Sequence, residues 1–269
     1  LRRRAAKELA EKRSDGGQAL LVKALEDDDA EVRSLAIGAL VTAEAHDALS
    51  AALTARWADV RVRAASARAA HGDPAALGPL LEVATEAKPE TGKGDPAAWE
   101  SRVITALGGL GGLGEPGALE PVAALLSREQ PKIRLAAVEA LAWISRPGQL
   151  DALRAALRHS DAEVRLKAAF GLAINGDAAG VSLLFARPKA ADTSNNRNKR
   201  NQPAAPTEPT LGEPERLQAA LALGESGRGA LLSLLDTDNA AVRRRALLSV
   251  ALLELAEPQD PPSRLLSAL

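Results

Sequence analysis

Two glycine-containing stretches have the residue types of nucleotide-binding loops. Residues 109–114, Gly-Leu-Gly-Gly-Leu-Gly, match the G-x-G-x-x-G pattern that binds dinucleotides. That pattern works only at the strand-to-helix turn of a βαβ unit, whereas the repeat register described below places these glycines at the end of a helix. Residues 91–94, Thr-Gly-Lys-Gly, lack the G-x-x-x-x-G-K-[ST] frame of a phosphate loop. We therefore expect neither a dinucleotide site nor a phosphate site.

Residues suited to metal binding or catalysis are few and scattered. The chain has no cysteine, and its three histidines, His46, His71 and His159, form no His-x-x-x-His pair. Ser226 lies in Gly-Glu-Ser-Gly-Arg, which lacks the last glycine of a nucleophile elbow. Helical carboxylates such as Glu139 lie among alanines and leucines without a suitably spaced partner. We expect no metal, no cofactor and no catalytic residue, so an enzyme is disfavoured.

The clearest feature of the sequence is a repeat. The pattern Val-Arg-x-x-Ala-x-x-Ala-Leu recurs, and Trp99 followed by Glu100 marks a degenerate copy. Aligning the copies gives one equivalent position to seven arginines: Arg2, Arg33, Arg63, Arg134, Arg165, Arg216 and Arg243. A period near thirty residues predicts stacked two-helix units, because each unit buries its apolar face only against its neighbours.

Each unit divides into a short Leu/Ala-rich helix A, a polar turn and a helix B that carries the arginine. A short polar residue in the turn, such as Asp29, Asp59 or Asp161, is placed to cap helix B. Long insertions at residues 85–96 and 188–212 interrupt two of the A-to-B turns and should project from one edge. The second insertion is rich in Asn, Pro and basic residues, a composition typical of disorder.

Composition narrows the class of protein further. Hydrophobic residues make up 46% of the 269 residues but aromatic residues only 2%, so Ala, Leu and Val must fill the interior. The formal net charge of −1 excludes a globally polybasic nucleic-acid binder. No stretch resembles a membrane span or a signal peptide. We expect a cytoplasmic protein without membrane contact, and a segment of a longer chain, because it opens on a helix B and closes on a helix A.

The pattern Asp-x-x-Val-Arg-x-x-Ala-x-x-Ala-Leu, complete at residues 29–40, resembles HEAT repeats, in particular the short type of phycobilin lyases and bacterial scaffold proteins. The resemblance implies an all-α fold, a right-handed α-α superhelix of about six full helical hairpins plus a half unit at each end, forming a single domain over residues 1–269. It also implies a structural ladder in which turn aspartates and helix-B arginines bond between neighbouring repeats: Asp29, Arg33, Asp59, Arg63, Arg134, Asp161, Arg165 and Arg243.

Binding residues are predicted beside the apolar stripe of helix B, which lines the concave surface in HEAT-like proteins. Basic residues recur there two, three and six positions after the residue that precedes each arginine. The candidates are Arg68, Arg102, Lys167 and Arg245, with Arg197, Lys199 and Arg200 of the second insertion as a mobile arm. Of the tryptophans, Trp99 and Trp143 are expected in the core, and Trp57 is the candidate for an exposed contact.

Three functions fit these features. A protein-protein interaction scaffold, which binds its partner through the concave helix-B face and the edge bearing the insertions, fits best. Nucleic-acid binding through phosphate contacts by the same basic residues is an alternative, although few aromatic residues are present for base stacking. A bilin-lyase-like subunit is a second alternative, but the sequence offers no cysteine or other handle for a cofactor. Partner identity and oligomeric state are not encoded in any recognisable motif.

Overall fold

The computed structural model describes residues 2–11, 15–89, 94–144, 150–185 and 209–256. These residues fold into fifteen α-helices, several of them extended by short 3-10 turns, and contain no β-strand. Residue contacts divide the chain into two compact units, Leu1–Ser145 and Arg146–Leu269. The all-α repeat fold expected from the sequence is confirmed.

The first unit contains one helix B followed by four A/B hairpins. Odd-numbered helices are the B helices and even-numbered helices are the A helices: α1 (Arg2–Glu11), α2 (Asp15–Ala24), α3 (Ala30–Thr42), α4 (His46–Ala52), α5 (Ala58–Ala70), α6 (Leu77–Thr85), α7 (Pro96–Leu113), α8 (Leu119–Ala124) and α9 (Pro131–Ile144). Successive B helices pack against each other in the order α1, α3, α5, α7, α9, and α2 packs on α4 and α6 on α8. This is the two-layer stack that the repeat predicts.

The second unit contains three hairpins. Its helices are α10 (Asp151–Ala156), α11 (Ala162–Ile174), α12 (Val181–Leu184), α13 (Glu213–Ala222), α14 (Arg228–Ser233) and α15 (Ala240–Ala256). Helix α11 packs against α13, and α13 packs against α15. Across both units, six hairpins have a helix A of at least six residues, while α12 is a single turn of four.

Small and branched aliphatic residues fill the interior, as the composition predicts. In the first unit the buried residues of helix B recur every three to four positions, for example Val32, Ala36 and Leu40 of α3. The predicted caps are present at Asp29 and Asp161, whose carboxylates accept from the backbone N–H two residues later, at 3.0 Å in both cases. Helix α5 differs, because it begins after Trp57 and therefore includes Asp59 in its first turn.

The long insertions lie where the described helices are interrupted. Residues 86–95 separate α6 from α7, and Asp95 caps α7 by accepting from the backbone N–H of Ala97 at 2.9 Å. Most of the second insertion lies outside the described residues. None of the described helices has the length and apolar character that crossing a bilayer requires.

Candidate functional site

The repeated arginine bonds first to its own hairpin. Arg33 donates from Nη1 to the carbonyls of Asp27 and Asp28, at 2.8 and 3.0 Å, where helix A has just ended. The same bonds, to carbonyls five and six residues upstream, recur at Arg61, Arg134 and Arg165, and Arg243 makes the one to the carbonyl six residues upstream. These carbonyls lie in the turn that follows helix A, and a cation near the carboxyl end of that helix also complements its dipole. The arginine thus latches helix A to helix B within one repeat.

Two arginines of the first unit also bond to the next repeat. The Nε of Arg3 donates to Asp29 at 2.7 Å, and the Nε of Arg33 donates to Asp59 at 3.1 Å, so each arginine reaches the next repeat. The Arg3 hydrogen bond is the main cause that lowers the pKa of Asp29 below its ordinary value. These two contacts are rungs of the kind that the family resemblance implies.

The register of the second full repeat differs from the sequence alignment by two residues. The sequence Val60-Arg61-Val62-Arg63 offers two Val-Arg pairs, and the alignment used the second. In the structure Arg61 makes the carbonyl bonds of the latch, and Val60 is completely buried. Arg63 instead points along the stack and donates to the hydroxyl of Ser34 at 2.6 Å.

A groove crosses the amino-terminal halves of α3, α5 and α7 in the first unit. We call it the helix-B groove; it is a depression of about 460 Å³ whose principal side chains are Arg33, Trp57, Asp59, Arg63, Ser101 and Arg102. Five of its lining residues lie two, three or six positions after Val60 or Trp99, the offsets at which the sequence predicts a binding face: Val62, Arg63, Ser101, Arg102 and Thr105. The shift of register brings Arg63 into this face, and Ser66 packs there by donating to the carbonyl of Thr105 at 3.3 Å.

The three arginines of the helix-B groove differ in whether a carboxylate lies close to them. Arg33 is 6% exposed and its Nη2 lies 3.1 Å from Asp59, while Arg102 Nη2 lies 3.3 Å from Glu86. Arg63 is exposed, and among the described residues its guanidinium bonds only to the hydroxyl and carbonyl of Ser34. Among the described residues, therefore, Arg63 is a cation of the groove that forms no ion pair with a carboxylate within 4.0 Å.

Trp57 forms one wall of the groove. The guanidinium carbons of Arg33 and Arg56 lie 4.0 and 4.6 Å from the centre of its ring. The ring is partly buried against the apolar core of the first repeats, and its Nε1 has no hydrogen-bond partner within the described part of the chain. The sequence placed Trp57 among the candidate contacts, and the structure places it beside Arg63 and Arg102.

Arg68, in contrast, lies away from the groove. Its Nε pairs with Asp73, and its Nη1 donates to the carbonyl of His46 at 3.0 Å and to the hydroxyl of Ser50 at 2.6 Å. The pKa of Asp73 is lowered mainly because the backbone N–H of Ala75 donates to it, and secondly by Arg68. Arg68 thus links the end of α5 to α4. It was a predicted binding residue only because the alignment of this repeat started at Val62, two residues after the structural anchor Val60.

The other basic candidates are distributed over the second unit. Lys167 lies on α11, and Arg245 is an exposed residue of α15. Arg197, Lys199 and Arg200 lie outside the described residues. Within the second unit, Arg154 pairs with Asp177 at 2.6 Å, and the pKa of Asp177 is lowered, chiefly by the backbone N–H of Ala179 and then by Arg154.

Of the two tryptophans predicted in the core, one is buried as predicted and the other is not. Trp99 is 1% exposed, and its indole N–H donates to the carbonyl of Glu86 at 3.3 Å. In this degenerate copy of the repeat, that hydrogen bond takes the place of the bonds made by the latch arginine. Trp143 is 62% exposed, whereas the sequence predicted it in the core. Trp143 lies ten residues after Ile133. This spacing places Trp143 on the side of α9 that contains Ala136 and Glu139, which is the exposed side and not the buried one.

Trp143 borders a second depression between α7 and α9. We call it the Trp143 cleft; it has a volume of about 560 Å³ and, among the described residues, is lined by small and apolar side chains together with the charged Glu139. Its α7 side consists largely of the glycine stretch. Only the last glycine of the stretch ends the helix as expected. Helix α7 continues through Gly109, Gly111 and Gly112 to Leu113, and Gly114, which has a φ of 68°, is its C-cap.

The chemical motifs set aside from the sequence gain no support. Residues 103–107, which precede the glycines, are helical, whereas a dinucleotide-binding βαβ unit requires a strand there. His46 and His71 come together with ring centres 5.4 Å apart, which the sequence did not anticipate. Among the described residues no group of three or more His, Asp or Glu side chains is arranged to hold a metal ion.

Comparisons with known proteins identify the repeat. Residues 96–187, about a third of the chain, match the family of HEAT repeats. No curated protein sequence is significantly similar to this chain.

Solved structures of low similarity cover nearly the whole chain. An engineered protein is 20% identical, with a TM-score of 0.48, over 94% of this chain and 72% of that one. The complex of CpcE and CpcF of phycocyanin lyase from Nostoc sp. PCC7120 is 19% identical, with a TM-score of 0.45, over 94% and 88%. Designed armadillo repeat proteins for modular peptide recognition are 16% identical, with a TM-score of 0.34, over 92% and 98%. Similarity at these levels supports no conclusion about function.

Proposed function

We propose that this chain, which carries HEAT repeats at residues 96–187, is a non-catalytic scaffold that binds an acidic segment of a protein partner in the helix-B groove. The observation that carries the proposal is Arg63. Its exposed guanidinium has no carboxylate partner among the described residues and lines a groove with a partly buried tryptophan. Arginine and tryptophan are the residue types most enriched at the centres of protein interfaces.

A carboxylate suits this groove for two reasons. The lining contributes three guanidinium groups, Arg33, Arg63 and Arg102, against the single carboxylate of Asp59. Arg33 is held by its latch, so an incoming carboxylate would bond to Arg63 and compete for Arg102, which is 3.3 Å from the partly exposed Glu86. A planar guanidinium binds a carboxylate with two parallel bonds, which gives orientation as well as affinity.

Nucleic acid is the less favoured ligand. Two of the arginines expected to contact phosphates, Arg68 and Arg102, already pair with Asp73 and Glu86. A duplex needs several unpaired cations along its backbone, because its affinity comes from released counterions. Lys167, Arg245 and the insertion residues Arg197, Lys199 and Arg200 stay in the proposal as further contacts to a protein partner.

Fluorescence anisotropy with defined probes tests the proposal. The probes are a fluorescein-labelled peptide of six glutamates in Gly/Ser flanks, its lysine counterpart, and a 20-nucleotide DNA in single- and double-stranded form. We expect salt-sensitive binding of the glutamate peptide, weakened about tenfold or more by Arg63→Glu. Arg158→Glu, at an exposed arginine of the second unit, is the matched control and should leave binding unchanged.

Two results would contradict the proposal. Tighter binding of DNA than of the glutamate peptide, lost in Arg63→Glu, would make the groove a phosphate-binding surface. Equal binding of the glutamate peptide by wild type and Arg63→Glu would remove the groove as the site of an acidic segment.

A further inference from the structure

The Trp143 cleft is an apolar site that shares α7 with the helix-B groove and that none of the residues described by the structure covers. A tryptophan side chain that is 62% exposed leaves a large apolar surface in water, and burial of such a surface is among the strongest contributions to an interface. Across the cleft, an added Cβ at Gly108 or Gly112 would meet no atom within 4 Å. These two glycines therefore leave room opposite the indole.

Gly109 and Gly111 have a packing role, which separates them from Gly108 and Gly112. A Cβ at Gly111 would lie 3.2 Å from the Cα of Ala140, so glycine there lets α7 and α9 approach closely. A Cβ at Gly109 would lie 2.9 Å from both Leu80 and Ser66. Helix interiors normally disfavour glycine, and packing accounts for Gly109 and Gly111 but not for the two that border the cleft.

Helix α7 connects the two depressions. It contributes Ser101, Arg102 and Thr105 to the helix-B groove and Ile104, Gly108 and Gly112 to the Trp143 cleft. Ten residues of helix separate Arg102 from Gly112, a rise of about 15 Å. An extended chain covers that distance in about five residues, at about 3.3 Å each.

We infer that one linear segment of a protein partner occupies both depressions, with an acidic residue at Arg63 and Arg102 and a large apolar side chain in the Trp143 cleft about five positions away. This inference rests on the proposed function, because the acidic residue fixes the register of the segment. The lining of the cleft favours an apolar side chain over a phosphate, since its charged lining residue, Glu139, is a carboxylate. The two requirements together define a sequence motif for the partner.

Peptides of fixed spacing test the inference. The probes are fluorescein-labelled peptides with a Glu-Glu pair and one phenylalanine, separated by four Gly/Ser residues or by none, and a third in which serine replaces the phenylalanine of the spaced peptide. We expect the spaced phenylalanine peptide to bind about tenfold or more tightly than either of the others. The spaced phenylalanine peptide should also change the tryptophan emission more than the serine peptide does, and this difference should be absent in Trp143→Phe.

A cleft-filling variant locates the apolar contact. Gly112→Leu places a side chain in the cleft and should abolish the advantage of phenylalanine while the affinity for the serine peptide stays unchanged. Gly229→Leu is the matched control, because that helical glycine of the second unit also has no atom within 4 Å of an added Cβ. Urea denaturation of both variants checks that each is folded.

The outcomes separate the inference from the proposed function. If the three peptides bind wild type equally and Arg63→Glu weakens them all, the groove binds acidic segments but the inference fails. If the advantage of phenylalanine persists in Gly112→Leu, the apolar side chain binds elsewhere and the inference also fails. If none of the peptides responds to Arg63→Glu, the proposed function fails as well.

Discussion

The guanidinium carbon of Arg33 lies 4.0 Å from the centre of the Trp57 ring, so a buried latch arginine supports the wall of the candidate groove. The same guanidinium bonds to two carbonyls of its own hairpin and to Asp59 of the next. Stability of the stack and shape of the groove therefore depend on one side chain.

Replacement of Arg33 should cost far more stability than replacement of Arg63. Arg33→Ala leaves the carbonyls of Asp27 and Asp28 and the carboxylate of Asp59 without their donor, and we expect a loss of about 3 kcal/mol in the free energy of unfolding. Arg63→Ala removes an exposed side chain and should change it by less than about 0.5 kcal/mol. Urea denaturation followed by circular dichroism measures both, and similar losses would contradict the assignment of Arg33 as the latch.

Neighbouring glycines in α7 should respond oppositely to alanine. Gly112→Ala adds a methyl group into open space on a helix and should stabilise the protein by about 0.5–1 kcal/mol. Gly111→Ala forces a methyl group against the Cα of Ala140 and should destabilise it by about 1–3 kcal/mol. The midpoints of thermal unfolding give the signs directly, and a stabilising Gly111→Ala would show that α7 and α9 are not in close contact.

Solvent quenching should separate the three tryptophans. Iodide reaches exposed indoles, so we expect Trp143 to account for most of the quenchable emission and Trp99 for almost none. The Trp143→Phe variant should therefore have a much shallower Stern–Volmer plot than Trp99→Phe. Equal slopes would indicate that Trp143 is covered in solution.

Acid should remove part of the stability that Asp73 provides. Its pKa in the folded protein is lowered by Ala75 N–H and Arg68, while the unfolded chain has the ordinary value of about 3.9. The contribution is thus complete above the unfolded value and is lost as the pH falls through the lowered folded value. Asp73→Asn keeps an acceptor for the cap but not the charge, so its melting temperature should fall less between pH 6 and pH 3 than that of wild type. An equal fall would contradict a charge effect at Asp73.

The sequence alone predicted the helices and their order because the apolar period of helix B is strong, as in α3 and α11. The register at Val60-Arg61-Val62-Arg63 could not be fixed from the sequence, because two Val-Arg pairs fit the pattern. The second pair predicts Arg68 as the binding residue, whereas the structure places Arg63 in the groove. The spacing of Trp143 from Ala136 and Glu139 indicates the exposed side of α9. The core was nevertheless predicted for it, because more weight was given to its being a tryptophan than to this spacing. The Trp143 cleft was beyond sequence reasoning, because it depends on how closely α7 approaches α9 at Gly111.

A latch that bonds within its own hairpin makes the hairpin a self-contained module. Because Arg61, Arg134 and Arg165 bond to carbonyls only five and six residues upstream, a gene segment that encodes one hairpin carries its latch with it. Duplication or deletion of such a segment would change the length of the protein without removing a latch from any remaining hairpin. The number of repeats can thus vary between descendants of one ancestral chain while residues outside the latch, such as Arg63, diverge separately.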